Sequence, residues 1–211
     1  GCDTLILDDG FQYLGLKHRQ EIVLVDRTNP FGNGHVLPRG ILREPAGNIG
    51  RADFIFLTKS DGGDSRELKA QLRELNPRAE IVECRHAPRY LQNVFTTERK
   101  ELDILQGWRV VALSGIADPA GFEEELRRRG AEVIMGRRLA DHHRYSQQEI
   151  IDLVNASREA GAGAVVTTEK DAVRFPRLDR CDVPIFFLRV DIEMLSGQED
   201  FRECISRICF R

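Results

Sequence analysis

Three short segments of this sequence carry residue types that could handle a phosphate group. The first, Leu5-Ile6-Leu7-Asp8-Asp9-Gly10-Phe11-Gln12, is an apolar run that ends in two carboxylates. A carboxylate at the C-terminal end of a strand is where phosphate-handling enzymes hold Mg²⁺, directly or through water. The same residues also fit a buried strand whose aspartates cap the turn at Gly10, and taken alone they do not choose between the two. The second segment joins Phe31-Gly32-Asn33-Gly34 to Leu37-Pro38-Arg39-Gly40-Ile41-Leu42-Arg43-Glu44-Pro45. Glycine lets backbone approach a ligand closely, the Arg43 guanidinium matches phosphate oxygens, and Glu44 is a hard-cation donor. The competing reading is a structured loop in which Arg43 pairs with a carboxylate distant in sequence.

The third segment is Asp141-His142-His143-Arg144-Tyr145. An imidazole here could take the proton of an attacking hydroxyl while the neighbouring carboxylate orients it. Zinc is a weaker use of the pair, because adjacent residues project differently and no third ligand stands at metal spacing. Plain polar packing beside a helix cap is the other alternative. One histidine of the two, His142 or His143, is expected to act.

Elements to position these segments follow from periodicity. Short apolar runs rich in Val, Ile and Phe alternate with amphipathic stretches, the pattern of parallel strands linked by helices. Strands are predicted at Thr4–Leu7, Glu21–Val25, Asp53–Leu57, Glu80–Glu83, Arg109–Leu113, Glu132–Met135, Ala164–Thr167 and Pro184–Val190, so the class is α/β. A helix is predicted from Ser65 to Asn76, with Leu68, Leu72 and Leu75 on one face and Pro77 as its stop. A second starts at Asp118-Pro119 and stops at Gly130. Its run Glu123-Glu124-Glu125 faces Arg127-Arg128-Arg129 four residues on, which reads as a solvated helix surface rather than a nucleic-acid patch. A third opens on the capping box Ser146-Gln147-Gln148-Glu149, so the Asp141-His142-His143 segment sits at a helix entrance. The least regular stretch, Asn29 to Gly50, holds Gly32, Gly34, Gly40, Gly47 and Gly50.

Composition bounds the rest. The chain has 211 residues, of which 41% are hydrophobic and 31% charged, ordinary values for a globular protein with a substantial core. A formal net charge of −3 gives no general attraction to nucleic acid or to an anionic bilayer. No run approaches the roughly 18 apolar residues that span a membrane, and no leader pattern is present, so a soluble chain is expected. Cys2, Cys84, Cys181, Cys204 and Cys209 are scattered without a C-x-x-C pair, which argues for reduced thiols rather than disulfides or zinc. The first residue is Gly1 and a strand is expected almost at once, so an upstream part is expected too.

Six blocks in order resemble the tetraacyldisaccharide 4'-kinase (lipid A 4'-kinase) family: LILDDGFQ at 5–12, EIVLVD at 21–26, FGNGHVLPRGILREP at 31–45, VVALSGIADPAGF at 110–122, ADHHRYS at 140–146 and TTEKDAVRF at 167–175. The resemblance implies a P-loop-NTPase-like core of parallel or mixed sheet, incomplete at its N-terminus, over 1–105. It implies a smaller C-terminal α/β subdomain over 106–211 that carries the Asp-His-His segment. It further implies ATP-dependent phosphorylation of the 4'-hydroxyl of a tetraacylated glucosamine disaccharide 1-phosphate, the lipid A precursor. The expected place is the cytoplasmic face of the bacterial inner membrane, peripheral or anchored through the upstream part. Mg²⁺ would be held or oriented by Asp8, Asp9 and Glu44. Arg43, Gln12 and Lys170 would contact ATP or its phosphates, and His142 with Asp141 would assist deprotonation of the acceptor. No nucleic-acid partner is expected.

The sequence departs from the family pattern at Tyr13, where histidine is usual, and at Arg39 and Ile41 in the loop usually written LPAGPLREP. These touch neither the carboxylates nor the Arg43-Glu44 pair. A regulatory GTPase is an alternative suggested by Thr58-Lys59-Ser60-Asp61, a tetrad of the kind that reads guanine, although D-x-x-G does not follow the first strand. A catalytically silent nucleotide-binding scaffold is another.

No G-x-x-x-x-G-K-[ST] phosphate loop occurs in these 211 residues, although the family carries one near its N-terminus. The 211-residue chain by itself is therefore expected to transfer phosphate barely or not at all. Robust ATP-dependent phosphorylation of the disaccharide by the isolated chain would overturn that expectation.

Overall fold

The three-dimensional structure, a computed structural model, describes residues 4–17, 19–141, 143–178 and 181–209. In chain order the elements are β1 (Ile22–Asp26), β2 (Phe54–Thr58), α1 (Arg66–Leu75), β3 (Glu80–Asn93), β4 (Arg99–Lys100), β5 (Arg109–Ser114), α2 (Pro119–Arg128), β6 (Glu132–Arg138), α3 (Gln147–Glu159), β7 (Ala164–Thr168), α4 (Glu169–Ala172), β8 (Ile185–Ser196) and α5 (Gln198–Cys209). Short 3₁₀ turns cover Ala46–Arg51 and Leu102–Leu105. The chain packs as two compact units, residues 1–86 with 192–211 and residues 87–191, and β3 and β8 each contribute to both. The α/β class is as expected.

In the first unit β1, β2 and the start of β3 are parallel neighbours. Ile55, Leu57, Leu72 and Ala79 are fully buried and join Val25, Ile49 and Ala52 in one core cluster. The leucine stripe expected on α1 delivers Leu72 to this core, while Leu75 remains 37% exposed at the helix end. Asn76, 2% exposed, closes that helix: its amide donates to the carbonyls of Ile49 at 2.9 Å and Ala52 at 2.8 Å, and its oxygen accepts from the N–H groups of Arg78 and Ala79. On the other face of β2, Phe201 of α5 meets Phe54 and Phe56 edge-on, with ring centroids 5.3 and 5.0 Å apart.

In the second unit the strand order is β3-β8-β7-β5-β6, with β4 paired antiparallel to β3. β8, β7, β5 and β6 are parallel to one another. Their continuous apolar runs are buried on both faces: Val110, Val111, Ala164, Val165, Val166, Ile185 and Phe186 are at or near zero exposure.

Three sequence expectations are corrected. Residues 4–7 form no strand. Leu5 and Ile6 are 73% and 89% exposed, because apolar composition makes a strand only where a neighbouring strand supplies its hydrogen bonds and covers its face. β3 and β8 run well beyond their predicted ends. Polar residues and Pro88 broke the apolar pattern, but cross-strand ion pairs carry the ladder onward: Arg85 with Glu193 in the first unit and Arg89 with Asp191 in the second, each at 3.1 Å. Finally, Glu123 is not on a solvated face. It is buried, and both its oxygens accept from Arg138 of β6, at 2.7 and 2.9 Å, with Arg127 at 3.3 Å. Gly136 makes room for it, since a Cβ there would lie 2.5 Å from Oε1.

The Arg138 hydrogen bonds hold the Glu123 carboxyl below its ordinary range. Arg138→Ala leaves this buried carboxylate short of donors and is expected to cost about 1–3 kcal/mol of stability, whereas Arg128→Ala, on an exposed pair, costs under about 0.5 kcal/mol. Urea denaturation checks both. The depressed carboxylate stabilises the fold above its unfolded pKa and loses that contribution as pH falls through the folded value, so the Arg138→Ala deficit shrinks in acid.

Candidate active site

The first unit gathers two of the chemistry-bearing segments around Glu44. One Glu44 oxygen accepts from the Gln12 amide at 2.8 Å, both accept from Arg51 at 3.0 and 2.9 Å, and Asn48 donates to the second. Arg51 also lies over the Phe11 ring, 4.3 Å from its centroid, and donates to the Phe11 carbonyl at 3.3 Å. Residues 11–12 are thereby fastened to residues 44–51. Burial pushes the Glu44 carboxyl up, but the bonds from Asn48, Gln12 and Arg51 outweigh it and the group sits below its ordinary value.

Beside this cluster Arg43 pairs with Asp9, the distant carboxylate that the sequence left unnamed. The Arg43 hydrogen bond lowers the Asp9 carboxyl. Asp9 has φ +56°, a left-handed conformation that aspartate tolerates better than most residues and that turns the chain at Asp8-Asp9-Gly10. Asp8 is exposed. The loop from Asn33 to Leu42 closes on itself: Leu42 N–H donates to the His35 carbonyl at 3.2 Å, and Asn33 donates to the Arg39 carbonyl at 2.9 Å. Gly40 is needed in that closure because a side chain would collide with the His35 carbonyl and Asn33.

At the carboxyl ends of β1 and β2, the Lys59 ammonium meets Asp26 at 2.8 Å and Arg27 meets Asp61 at 2.8 Å. Lys59 adopts φ +55°. The charged members of the Thr58-Lys59-Ser60-Asp61 tetrad are thus engaged in joining two strand ends.

The second unit gathers the remaining blocks. Tyr145, at the end of the Asp-His-His segment, donates to Asp171 at 3.0 Å, and the Gly115 N–H donates to the same carboxylate at 3.0 Å. His143 Nε2 lies 3.0 Å from Glu149, which simultaneously serves the Ser146 capping box predicted from sequence. Asp141 and Lys170 are exposed in this unit, and His142 lies outside the described residues. Sequence reasoning missed Arg51, Asn48, Tyr145 and Asp171. The last two stood inside resembling blocks, and a Tyr and an Asp in blocks otherwise read for histidine and lysine were the available signal.

With this geometry in view, a family model for tetraacyldisaccharide-1-P 4'-kinase matches residues 1–209. The chain belongs to the tetraacyldisaccharide-1-P 4'-kinase family. It is 43% identical over 208 residues to the tetraacyldisaccharide 4'-kinase of Anaeromyxobacter dehalogenans strain 2CP-C, covering 94% of this chain and 54% of that protein. With the Halothermothrix orenii protein of the same name it shares 33% over 223 residues, 98% of this chain and 58% of that one. A crystal structure of LpxK from Aquifex aeolicus in complex with ATP superposes with a TM-score of 0.65 at 25% identity, over 95% of this chain and 56% of the other. The fold is therefore that of this kinase family, and the chain spans about half the length of the relatives it matches.

Asp8 and Asp9 carry carboxylates of the type Mg²⁺ takes, one or two at a time with phosphate and water oxygens completing its shell, and Asp9 is already paired with Arg43. Glu44 has both oxygens engaged by side-chain donors. Among the described residues no group of three or more His, Cys, Asp and Glu side chains is placed to hold a metal by itself. No helix among them is long and apolar enough to cross a membrane.

Glu44→Ala removes the shared acceptor of Gln12, Asn48 and Arg51, and is expected to release the Phe11–Lys17 segment. Limited trypsin digestion should then cut at Lys17 several-fold faster, by about the factor that a loss of ~1 kcal/mol in local stability gives. In the unsubstituted chain the same release is expected on acidification through the lowered Glu44 pKa, where the carboxylate is lost, read as faster cutting of this segment by pepsin, which works in acid.

Proposed function

We propose that a protein containing this chain transfers the γ-phosphoryl group of ATP to the 4'-hydroxyl of a tetraacylated glucosamine disaccharide 1-phosphate, at the cytoplasmic face of the bacterial inner membrane. The observation that supports it is assembly within each unit. Gln12 meets Glu44 across 32 positions in the first unit, and Gly115 meets Asp171 across 56 in the second. Family membership supplies the reaction class; the relatives are named for this kinase activity.

Phosphoryl transfer depends chiefly on positioning and on neutralising phosphate charge. Asp8 and Asp9 would hold Mg²⁺, which when bound neutralises charge on the phosphate oxygens. Glu44 orients the Arg43-bearing loop through Arg51, Asn48 and Gln12. Arg43, paired with Asp9, is a guanidinium able to turn to a phosphate oxygen when nucleotide arrives, and Lys170 adds an exposed ammonium for the nucleotide. His142 accepts the proton of the 4'-hydroxyl, with Asp141 beside it in sequence as the orienting carboxylate.

In an active 4'-kinase that contains this sequence, His142→Ala is expected to lower kcat by about 10²–10⁴-fold while ATP affinity changes little, as befits loss of a general base. Steady-state kinetics alongside nucleotide titration checks it. If His143→Ala has that effect instead, the role passes to His143. Asp9→Ala is expected to raise the Mg²⁺ concentration needed for half-maximal rate, and an unchanged Mg²⁺ titration would remove Asp9 from the metal site.

A further inference from the structure

The second unit contains a fully buried carboxylate, Asp171, to which the proposed reaction gives no role. Its Oδ1 accepts from the Tyr145 hydroxyl at 3.0 Å, and its Oδ2 accepts from the Gly115 N–H at 3.0 Å and the Thr168 hydroxyl at 2.7 Å. Arg174 approaches at 3.7 Å. Burying an anionic group is costly unless donors surround it, so a site of this kind implies that the donors need to be held.

Part of the arrangement is local. Thr168 caps α4 by accepting from the Asp171 N–H at 3.2 Å, and the reciprocal bond from its hydroxyl completes an ordinary helix start. Capping does not account for Tyr145 and Gly115, which lie 26 and 56 residues away in sequence. These two bracket the histidine segment. On its entry side the Leu139 N–H donates to the Ser114 carbonyl at 2.9 Å, next to Gly115. On its exit side Tyr145 reaches the carboxylate that holds the Gly115 N–H.

Between those ties the chain turns, with the His143 N–H donating to the Ala140 carbonyl at 3.1 Å. The His143 ring stands edge-on to Tyr145, centroids 5.0 Å apart. Gly115 fits only because it has no side chain: a Cβ would lie 3.1 Å from the Ala140 carbonyl oxygen, 3.1 Å from Asp171 Oδ1 and 3.2 Å from the Tyr145 hydroxyl. Burial and the facing carboxylate push the Tyr145 phenol well above its ordinary value, so it remains a donor at any working pH.

We propose that Asp171 and Tyr145 are positioning residues for the Asp141-His142-His143 segment, tying the chain on its entry side at Leu139 and on its exit side at Tyr145 to the Ser114-Gly115 turn. The proposal rests on the reading of that segment as the one that serves the acceptor hydroxyl. Neither residue touches substrate in this scheme; each acts through the segment it fixes.

Two measurements separate the latch from that reading. In the 211-residue chain, histidine-selective NMR follows the His143 ring, and hydrogen exchange follows the Gly115 amide. Tyr145→Phe, which keeps the ring and removes one oxygen, and Asp171→Asn are each expected to shift the His143 resonance and to speed Gly115 exchange by about tenfold or more, the effect of losing one buried bond of about 1.4 kcal/mol. Thr168→Ala removes the helix cap and one donor to Asp171 Oδ2 but leaves the Tyr145 hydroxyl on Oδ1, and is expected to shift the His143 resonance much less than Tyr145→Phe does. If His143 and Gly115 are unmoved by Tyr145→Phe, or if Thr168→Ala moves the His143 resonance equally, the latch is overturned and Asp171 is a local cap. Should Asp171→Asn not fold, Tyr145→Phe alone decides.

In an active 4'-kinase containing this sequence, Tyr145→Phe is expected to lower kcat by about ten- to a hundredfold with the KM for ATP nearly unchanged, the signature of a misplaced group rather than lost nucleotide binding. A His143 resonance that moves while kcat does not would leave the latch standing and overturn the catalytic reading of the segment.

Discussion

A carboxylate with no exposure to solvent must find its donors within the protein, and Asp171 finds them on three separate pieces of chain. That requirement organises the carboxyl ends of β5 and β7. Tyr145 must come close, Gly115 must lack a side chain, and the chain between Leu139 and Tyr145 must return to the same turn. Ligand sites of open α/β sheets gather at the carboxyl ends of the strands, so the buried anion stands where a precisely held loop is most useful.

Glu44 plays a comparable part in the first unit with a different balance of forces. It is only partly buried, and its lowered pKa reflects bonds from Asn48, Gln12 and Arg51 that exceed the penalty of burial. Without a strand to hold them, residues 4–17 have few other attachments: Leu5, Ile6, Tyr13 and Leu14 are all largely exposed. The Arg51 guanidinium over Phe11 and the Gln12 amide on Glu44 do the work that a β-ladder does elsewhere. The result places Asp8 and Asp9 on a turn rather than on a strand end.

Charges elsewhere are similarly committed. Lys59 with Asp26 and Arg27 with Asp61 tie the ends of β1 and β2, and Glu123 is enclosed by Arg138 and Arg127. A charge pattern on a helix predicts neighbours three and four residues apart, yet Arg138 reaches Glu123 from another element and supplies both of its shortest bonds. Pairing across elements is invisible to periodicity, and it decided which glutamate of the run is buried.

The sequence by itself determined the α/β class, the strands from β1 onward apart from β4 and the far ends of β3 and β8, the caps at Asp118 and Ser146, and the family, because these depend on residues close together along the chain. Six blocks in order were legible without any contact being known. Only the tertiary structure decided what those blocks do to one another: that Arg43 turns to Asp9, that Glu44 anchors Gln12 and Arg51, and that Asp171 joins Gly115 to Tyr145. It also decided that Thr4–Leu7, apolar enough for a strand, is not one. The physical reason is the same in each case. Burial and hydrogen-bond partners are properties of the folded neighbourhood, and the fold brings together residues as far apart in the chain as Gly115 and Asp171, 56 positions, and Val94 and Ile185, bonded at 2.9 Å.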